Sequence, residues 1–304
     1  MTFGEHVFLY CERGTNPELL AEPLNALSNI AFLLAGLAGL QLVLWRPQEQ
    51  RNGDHFLLPV LVLFIGLGSL SFHLFADQGT ELADVVPIFV FMLVYLGFAL
   101  NRFLGVPPGT TVLLLIGFTA IMAMTGQVQC SDNAISFFEP EMQGAKPCLN
   151  GSVFYLPALA AMIIIGLLLH ERGHKAAPWV LWAAAIFAVS LTLRSLDLAL
   201  CDKILIDGRK AGTHFAWHLL NALALFLLLR ASLEAGAVPA ATAPLGEPAK
   251  GEAKPEATPA EAAPAPKPAE ALASSGEEAA KESETAGEEE PKAKEEKPKA
   301  FFPA

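Results

Sequence analysis

The sequence lacks several features that would place it in a common soluble class. Its 20 Lys and Arg are outnumbered by 31 Asp and Glu, and the net charge of −11 gives no reason to expect a nucleic-acid partner. It shows no internal repeat of the kind found in inverted-repeat transporters. Its first 24 residues are mixed and polar, without the basic stretch and short apolar core of a secretory signal peptide. The first apolar segment is therefore expected to act as its own insertion signal.

Charge is scarce as well, because only 17% of the residues are charged and 53% are hydrophobic. This composition is too apolar for an ordinary soluble domain. Apolar runs long enough to cross a bilayer occur at approximately 24–45, 56–75, 82–101, 110–125, 152–170, 178–200 and 213–232. A β-barrel would instead show short alternating strands. The sequence therefore predicts an all-α membrane protein with a bundle of seven transmembrane helices.

The last part of the chain has a different character. Residues 235–304 are rich in Ala, Pro, Glu and Lys, with 14 Glu and 8 Lys and no periodic apolar face. Such a segment cannot bury a core, and its composition predicts disorder. The expected organisation is a seven-span domain, residues 1–234, followed by a disordered tail, residues 235–304.

Five polar residues in the spans are predicted to lie at one depth. His214 and His218 open the last span and share a helix face. Ser69 and His73 have the same spacing at the end of the second span, and Asp84 lies near the start of the third. These ends face the same side of an antiparallel bundle. Three histidines that leave one coordination position open are typical of catalytic zinc.

Each of these residues also has a purely structural interpretation. A single His near a helix end can be an interfacial side chain. Asp84, placed in the first turn of its span, can simply cap the helix, and Ser69 can bond back to the preceding turn. The set taken together favours a functional site over these separate interpretations.

A second histidine pair matches a known zinc motif. The segment from His170 to His174 reads His-Glu-Arg-Gly-His, the H-E-x-x-H string of zinc metalloproteases. That motif requires a continuous helix, whereas Gly173 within this segment and Pro178 shortly after it disfavour one. We interpret the segment as a short basic loop at the exit of the fifth span.

The order and spacing of the first set resemble the alkaline ceramidase family and the wider superfamily that includes the adiponectin and progestin receptors. The N-terminal segments, from Tyr10 to Arg13 and from Ala21 to Asn29, resemble the ceramidase branch. The resemblance covers about residues 8–230. It implies a membrane-lipid substrate, ceramide, whose amide bond is hydrolysed to a sphingoid base and a fatty acid. It also implies that Zn²⁺ is bound by His73, His214 and His218, and that the catalytic site is lined by Ser69 and Asp84.

The same resemblance raises the question of a calcium site. In eukaryotic ceramidases an acidic, amide-rich N-terminal segment and a further Glu bind calcium, and Glu12 and Glu22 match that pattern here. Leu9 and Gly14 depart from it, and calcium prefers six to eight oxygen ligands. We therefore expect a calcium site to be lost or weakened. Alternatively, Glu22 and Asn25 simply anchor the first span at the interface.

Two other functions remain open at the level of sequence. The chain could hydrolyse another lipid amide or ester, because a zinc site selects attack on a carbonyl and not a particular lipid. It could also be a seven-span receptor or sensor with structural zinc. Asp84 beside the open position favours an enzyme, and the sequence indicates no protein partner.

The four cysteines predict the orientation of the chain. Cys11, Cys130, Cys148 and Cys201 all fall on the N-terminal side of the membrane, which is explained most simply if that side is oxidising. We expect the pairs Cys130–Cys148 and Cys11–Cys201, with free cysteines as the alternative. The N-terminus is then periplasmic or luminal and the C-terminus cytoplasmic.

Overall fold

Seven membrane spans dominate the structure, a computed structural model that describes residues 5–131, 134–137 and 146–235. Within these residues, the helical segments that are long and apolar enough to cross a membrane are Pro23–Leu44, Gly53–Phe75, Gln78–Phe103, Pro108–Gly126, Cys148–Glu171, Ala177–Leu196 and His214–Ala235. The expectation of an all-α, seven-span integral membrane protein is confirmed. The sequence predicts a disordered tail, and its residues from 236 onward lie outside the described ranges.

The spans are built from eight α-helices. These are α1 (Pro23–Ser28), α2 (Ile30–Leu44), α3 (Gly53–Phe75), α4 (Gln78–Phe98), α5 (Pro108–Gly126), α6 (Leu156–Glu171), α7 (Ala177–Leu196) and α8 (His214–Ser232). A π-helical turn, Ala99–Phe103, extends α4, and 3₁₀ turns occur at Gln48–Gln50, Cys148–Tyr155 and Leu233–Ala235. Because α1 and α2 together make the first span, the eight helices give seven crossings.

Short strands occur in the two long connections on the N-terminal side. After α5, β1 (Val128–Ser131) pairs antiparallel with β2 (Ala134–Phe137) and with β3 (Lys146–Pro147). Between α7 and α8, a small hairpin joins β4 (Leu205–Ile206) to β5 (Arg209–Lys210). The structure joins Cys130 to Cys148 and Cys11 to Cys201, with Cα atoms 4.9 and 5.4 Å apart.

Two predicted span boundaries differ from the structure for identifiable reasons. Helix α4 begins at Gln78 rather than near 82, because Asp77 and Thr80 form a reciprocal capping box at its N-terminus. Asp84 therefore lies in the second turn and does not cap the helix. Helix α7 ends at Leu196 rather than near 200, and Asp197 turns its carboxylate toward main-chain N–H groups of other segments.

A glycine, Gly68, allows α3 and α4 to approach each other closely next to the site. A Cβ atom on Gly68 of α3 would lie 1.9 Å from the carbonyl oxygen of Ala83 in α4. Only a residue without a side chain permits this approach. The contact places Ser69 of α3 beside Asp84 of α4.

The outward faces of the bundle are apolar. Leu34, Leu113, Ile116 and Trp182 are all largely exposed. In an aqueous protein such a surface would be unfavourable, whereas in a bilayer it meets lipid tails. The interior holds a continuous cluster of buried apolar side chains that includes Phe32, Leu58, Val62 and Ile65.

Candidate metal centre

Three histidines from the ends of two helices meet inside the bundle. His73 comes from the last turn of α3, and His214 and His218 come from the first two turns of α8. One ligand atom of each lies within 4.8 Å of the others, and all three side chains are buried. Among the described residues this is the one group of three or more His, Cys, Asp or Glu with such a geometry.

The hydrogen bonds of two rings leave a nitrogen facing the cluster. Nδ1 of His73 lies 2.7 Å from Oε2 of Glu22, and Nδ1 of His218 lies 2.7 Å from the hydroxyl of Ser28. The Ser28 hydroxyl hydrogen is donated to the carbonyl oxygen of Asn25, so the Ser28 oxygen accepts from Nδ1–H of His218. A ring protonated at Nδ1 offers the lone pair of Nε2 to a metal.

Unpartnered nitrogen atoms also fit a metal ion. Nε2 of His73 and Nδ1 of His214 are buried without a hydrogen-bond partner. Buried polar atoms in native proteins are nearly always satisfied, so these orphan atoms suit a ligand that donates no hydrogen. Histidine nitrogens are donors that Zn²⁺ commonly takes, so the residues present fit that ion.

The N-terminus of α8 is held by a carboxylate from the end of α7. Oδ1 of Asp197 accepts the main-chain N–H groups of Thr213 and His214 at 2.7 and 2.9 Å. Gly212 has a left-handed φ of 62°, and a Cβ atom there would lie 2.1 Å from Oδ1 of Asp197. This cap fixes the first turn of α8 and with it His214.

A carboxylate and a hydroxyl lie beside the histidines. Asp84 and Ser69 line the same small cavity as His214 and His218. Ser69 and Asp84 come from neighbouring helices, and Oδ1 of Asp84 is buried without a hydrogen-bond partner. The five residues predicted to share one depth are therefore brought together.

The N-terminal segment covers the cluster. The ring of Tyr10 stacks on the ring of His214, with centroids 3.6 Å apart. Next to it, Cys11 is joined to Cys201, and its N–H group donates to Oδ2 of Asp197 at 2.9 Å. Burial raises the pKa of the Tyr10 hydroxyl, so this side chain is a neutral lid over the site.

Glu12 and Glu22, the predicted calcium pair, each have protein donors. Glu12 accepts the N–H groups of Leu24 and Asn25, both at 2.8 Å, and so caps the start of α1. Burial opposes ionisation of Glu22, but hydrogen bonds from His73, Asn25 and Arg13 hold the pKa of its carboxyl below the usual value. Glu22 is therefore placed behind a candidate metal ligand, and the expected loss or weakening of a calcium site at this pair stays a prediction.

A buried arginine in the cavity was not singled out from the sequence. Arg194 of α7 is 2% exposed and lies over the faces of Tyr10, Tyr155 and Trp217, 5.4 to 5.9 Å from the ring centroids. It lines the cavity that contains Asp84. An ionisable residue inside a span is a functional candidate, and that signal was present in the sequence.

An apolar space adjoins this cavity. It lies among helices α3 to α8, with Phe91, Phe118, Met162 and Leu225 among its lining residues. Ile65, Ile88, Tyr155 and Asn221 line both spaces. The polar cluster therefore has apolar space next to it.

The segment from His170 to His174 is far from the cluster along the bundle. Helix α6 ends at Glu171, and Gly173 has a left-handed φ of 64°, so the two histidines do not share one helix. Nδ1 of His174 accepts the N–H group of Ala176 at 3.0 Å. The interpretation of the segment as a loop therefore holds from Arg172 onward, whereas His170 and Glu171 form the end of α6.

Comparison with protein families gives one match that covers most of the chain. The model of the family described as Ceramidase matches residues 10–235. The match includes all seven spans, the three histidines and the N-terminal segment that covers them. Comparison with curated proteins gives no match.

Proposed function

This chain belongs to the Ceramidase family, and we propose that it is a zinc-dependent hydrolase that cleaves the amide bond of ceramide inside the membrane. The family implies hydrolysis of a lipid amide. The products of the proposed reaction are a sphingoid base and a fatty acid. In this proposal, Zn²⁺ is held by His73, His214 and His218.

The observation that carries the proposal is the buried cluster of three histidines with Asp84 and Ser69 beside it. A structural zinc site uses four protein ligands, whereas a catalytic site uses three and leaves one position for water or substrate. Zinc bound here would polarise the amide carbonyl and lower the pKa of a water molecule toward 7. A carboxylate next to an open position favours turnover over a structural role.

Asp84 and Ser69 supply the remaining chemistry. Asp84 would take a proton from the attacking water and return it to the leaving amine nitrogen. The Ser69 hydroxyl, which lines the same cavity as Asp84, would donate its single hydrogen to the developing oxyanion. Both side chains are buried, so bulk solvent would screen their interactions with the reacting atoms only weakly.

The surroundings suit a lipid with long acyl chains. Apolar space adjoins the polar cavity, and the outer faces of the helices meet lipid. A two-chain amide can therefore place its amide at the histidines while its chains remain in apolar surroundings. A polar, water-soluble substrate would gain nothing from this arrangement.

We also propose that the site opens toward the side of the membrane that holds the N-terminus, in a periplasm or lumen. Both disulfides lie on that side, as expected for an oxidising compartment. The tail would then be cytoplasmic. We also propose that the seven-span domain ends near residue 234, where the tail begins.

The test is a comparison of substrates on the purified full chain with its zinc content measured. We expect one zinc per chain and release of fatty acid from ceramide, with little release from a phospholipid of the same chain length. Hydrolysis of the phospholipid but not of ceramide would show that the substrate is another lipid. Zinc without turnover on any lipid would favour a receptor or sensor.

A further inference from the structure

The guanidinium group of Arg13 is enclosed by oxygen atoms of the protein. Its side chain is 0% exposed. A guanidinium has five N–H donors, and five hydrogen bonds are present here. They go to the Glu22 carboxylate and to the main-chain oxygens of Asn16, Glu18, His73 and Leu74.

These acceptors come from three separate parts of the chain. One part is the N-terminal loop at residues 16–18, another is Glu22 just before α1, and the third is the last turn of α3. Carbonyl groups in the last turn of a helix have no partner within the helix and favour a positive charge. Arg13 supplies that charge, and its Nη2 donates to the carbonyl oxygen of His73 at 2.8 Å.

Arg13 also acts on the ring of His73 through Glu22. Oε1 of Glu22 accepts from Nε of Arg13, and Oε2 lies 2.7 Å from Nδ1 of His73 and accepts from Asn25 at 2.8 Å. Arg13 therefore fixes both the main chain of His73 and the carboxylate that orients its ring. Groups that hold a metal-binding imidazole in this way typically change metal affinity about 10–100-fold when they are removed.

A calcium ion does not fit these residues. Calcium needs six to eight oxygen ligands, but the carboxylates of Glu12 and Glu22 already accept from N–H groups of the protein. A fixed guanidinium charge lies against Glu22. This charge would repel a divalent cation next to Glu22, and the cation would have to displace the hydrogen bonds that Glu22 accepts.

We propose that Arg13 is a built-in cation that replaces a bound calcium ion and positions His73 through Glu22, so that zinc binding is independent of calcium. The inference rests on the proposed function, because zinc is the ion that His73 would hold. Arg13 is a positioning residue in this proposal and does not touch the substrate.

The first arm of the test measures zinc affinity of the full chain by competition with a chelating dye. Arg13→Ala should weaken zinc binding about 10–100-fold. Arg51→Ala is the matched control, because Arg51 also donates to main-chain carbonyls at a helix end, those of Leu44 and Arg46, and has no link to the histidines. Its zinc affinity should equal that of the unaltered protein.

Rescue separates positioning from a general loss of structure. Millimolar guanidinium ion should restore zinc affinity to Arg13→Ala, whereas the same concentration of sodium should not. Arg13→Lys should give an intermediate affinity, because an ammonium group has three donors instead of five. If Arg13→Ala does not fold, Glu22→Gln breaks the same link and should lower zinc affinity in the same way.

The second arm measures calcium on the unaltered protein and needs no variant. Radioactive calcium should not bind in stoichiometric amount, and added calcium should leave the melting temperature unchanged with or without zinc. Stoichiometric calcium binding that is lost in Glu22→Gln would overturn the inference. Equal zinc affinity of Arg13→Ala and Arg51→Ala would also overturn it, whereas failure of the unaltered protein to bind zinc would contradict the proposed function instead.

Discussion

The hydroxyl oxygen of Ser28 lies 2.7 Å from Nδ1 of His218, although 190 residues separate the two along the chain. Ser28 is the last residue of α1, where the first span changes from α1 to α2. Its oxygen can accept from the ring because its hydrogen is already donated to Asn25. The helix break in the first span thus orients a histidine of the last span.

Replacement of Ser28 by Ala should therefore weaken zinc binding without unfolding the bundle. Loss of a group that orients a metal-binding imidazole typically lowers affinity about 10-fold or more. Ser71→Ala is the control, because the Ser71 hydroxyl donates only to the preceding turn, at Gly68. Equal zinc affinities of the two variants, measured by chelator competition, would contradict the role of Ser28.

Gly212→Ala should disturb the start of α8 more than a glycine replacement elsewhere. A Cβ atom at Gly212 would meet Oδ1 of Asp197 at 2.1 Å and displace the carboxylate that caps His214. Gly208→Ala has the same left-handed backbone, with φ of 75° and no atom within 4 Å of the added Cβ. Both carry a backbone penalty of about 1–2 kcal/mol, so the difference between them reports the contacts of Gly212 with Asp197 and with Cβ of Cys11, which would lie 2.7 Å from the added Cβ.

The measurements for this pair are the melting temperature and the zinc content. We expect Gly212→Ala to lose zinc and to melt at a lower temperature than Gly208→Ala. Similar values for both would show that the contact with Asp197 does not hold the histidines.

A chain that ends near residue 235 should retain zinc binding and turnover. The residues beyond it are rich in Ala, Pro, Glu and Lys and offer no apolar face to pack on the bundle. Zinc content and fatty-acid release should match those of the full chain. Loss of zinc on truncation would give the tail a structural role.

The proposed orientation is tested by labelling intact cells with a thiol reagent that does not cross the membrane. A cysteine introduced into the tail should be labelled only after permeabilisation. A cysteine at Asp207, in the turn between β4 and β5, should be labelled without it, because this turn lies on the side of the two disulfides. Labelling of the tail on intact cells would reverse the orientation.

The spans could be predicted because each is a long apolar run, a signal that depends only on local composition. The candidate site could be predicted because polar residues inside such runs are few; these are Ser69, His73, Asp84, His214 and His218. The ends of α4 and α7 were missed by about four residues, because capping by Asp77 and the turn at Asp197 depend on specific hydrogen bonds.

The groups that support the histidines could not be predicted in the same way. Arg13 reaches the main chain of His73 across 60 positions, and Ser28 reaches His218 across 190. Nothing in the local sequence of either residue indicates its partner. Asp197 and Arg194 did carry a signal, as charges inside a predicted span, but only the structure shows what they contact.

The most direct test of the account is fatty-acid release from ceramide by three zinc-treated proteins, with zinc content measured on the same samples. The unaltered chain should bind one zinc and turn over, lose activity on chelation and regain it when zinc returns. His218→Ala should lose both zinc and activity. Asp84→Asn should keep its zinc but lose about 10²–10⁴-fold in rate, as expected for removal of a general acid and base. Normal hydrolysis by Asp84→Asn, or by the zinc-free His218→Ala, would contradict the account.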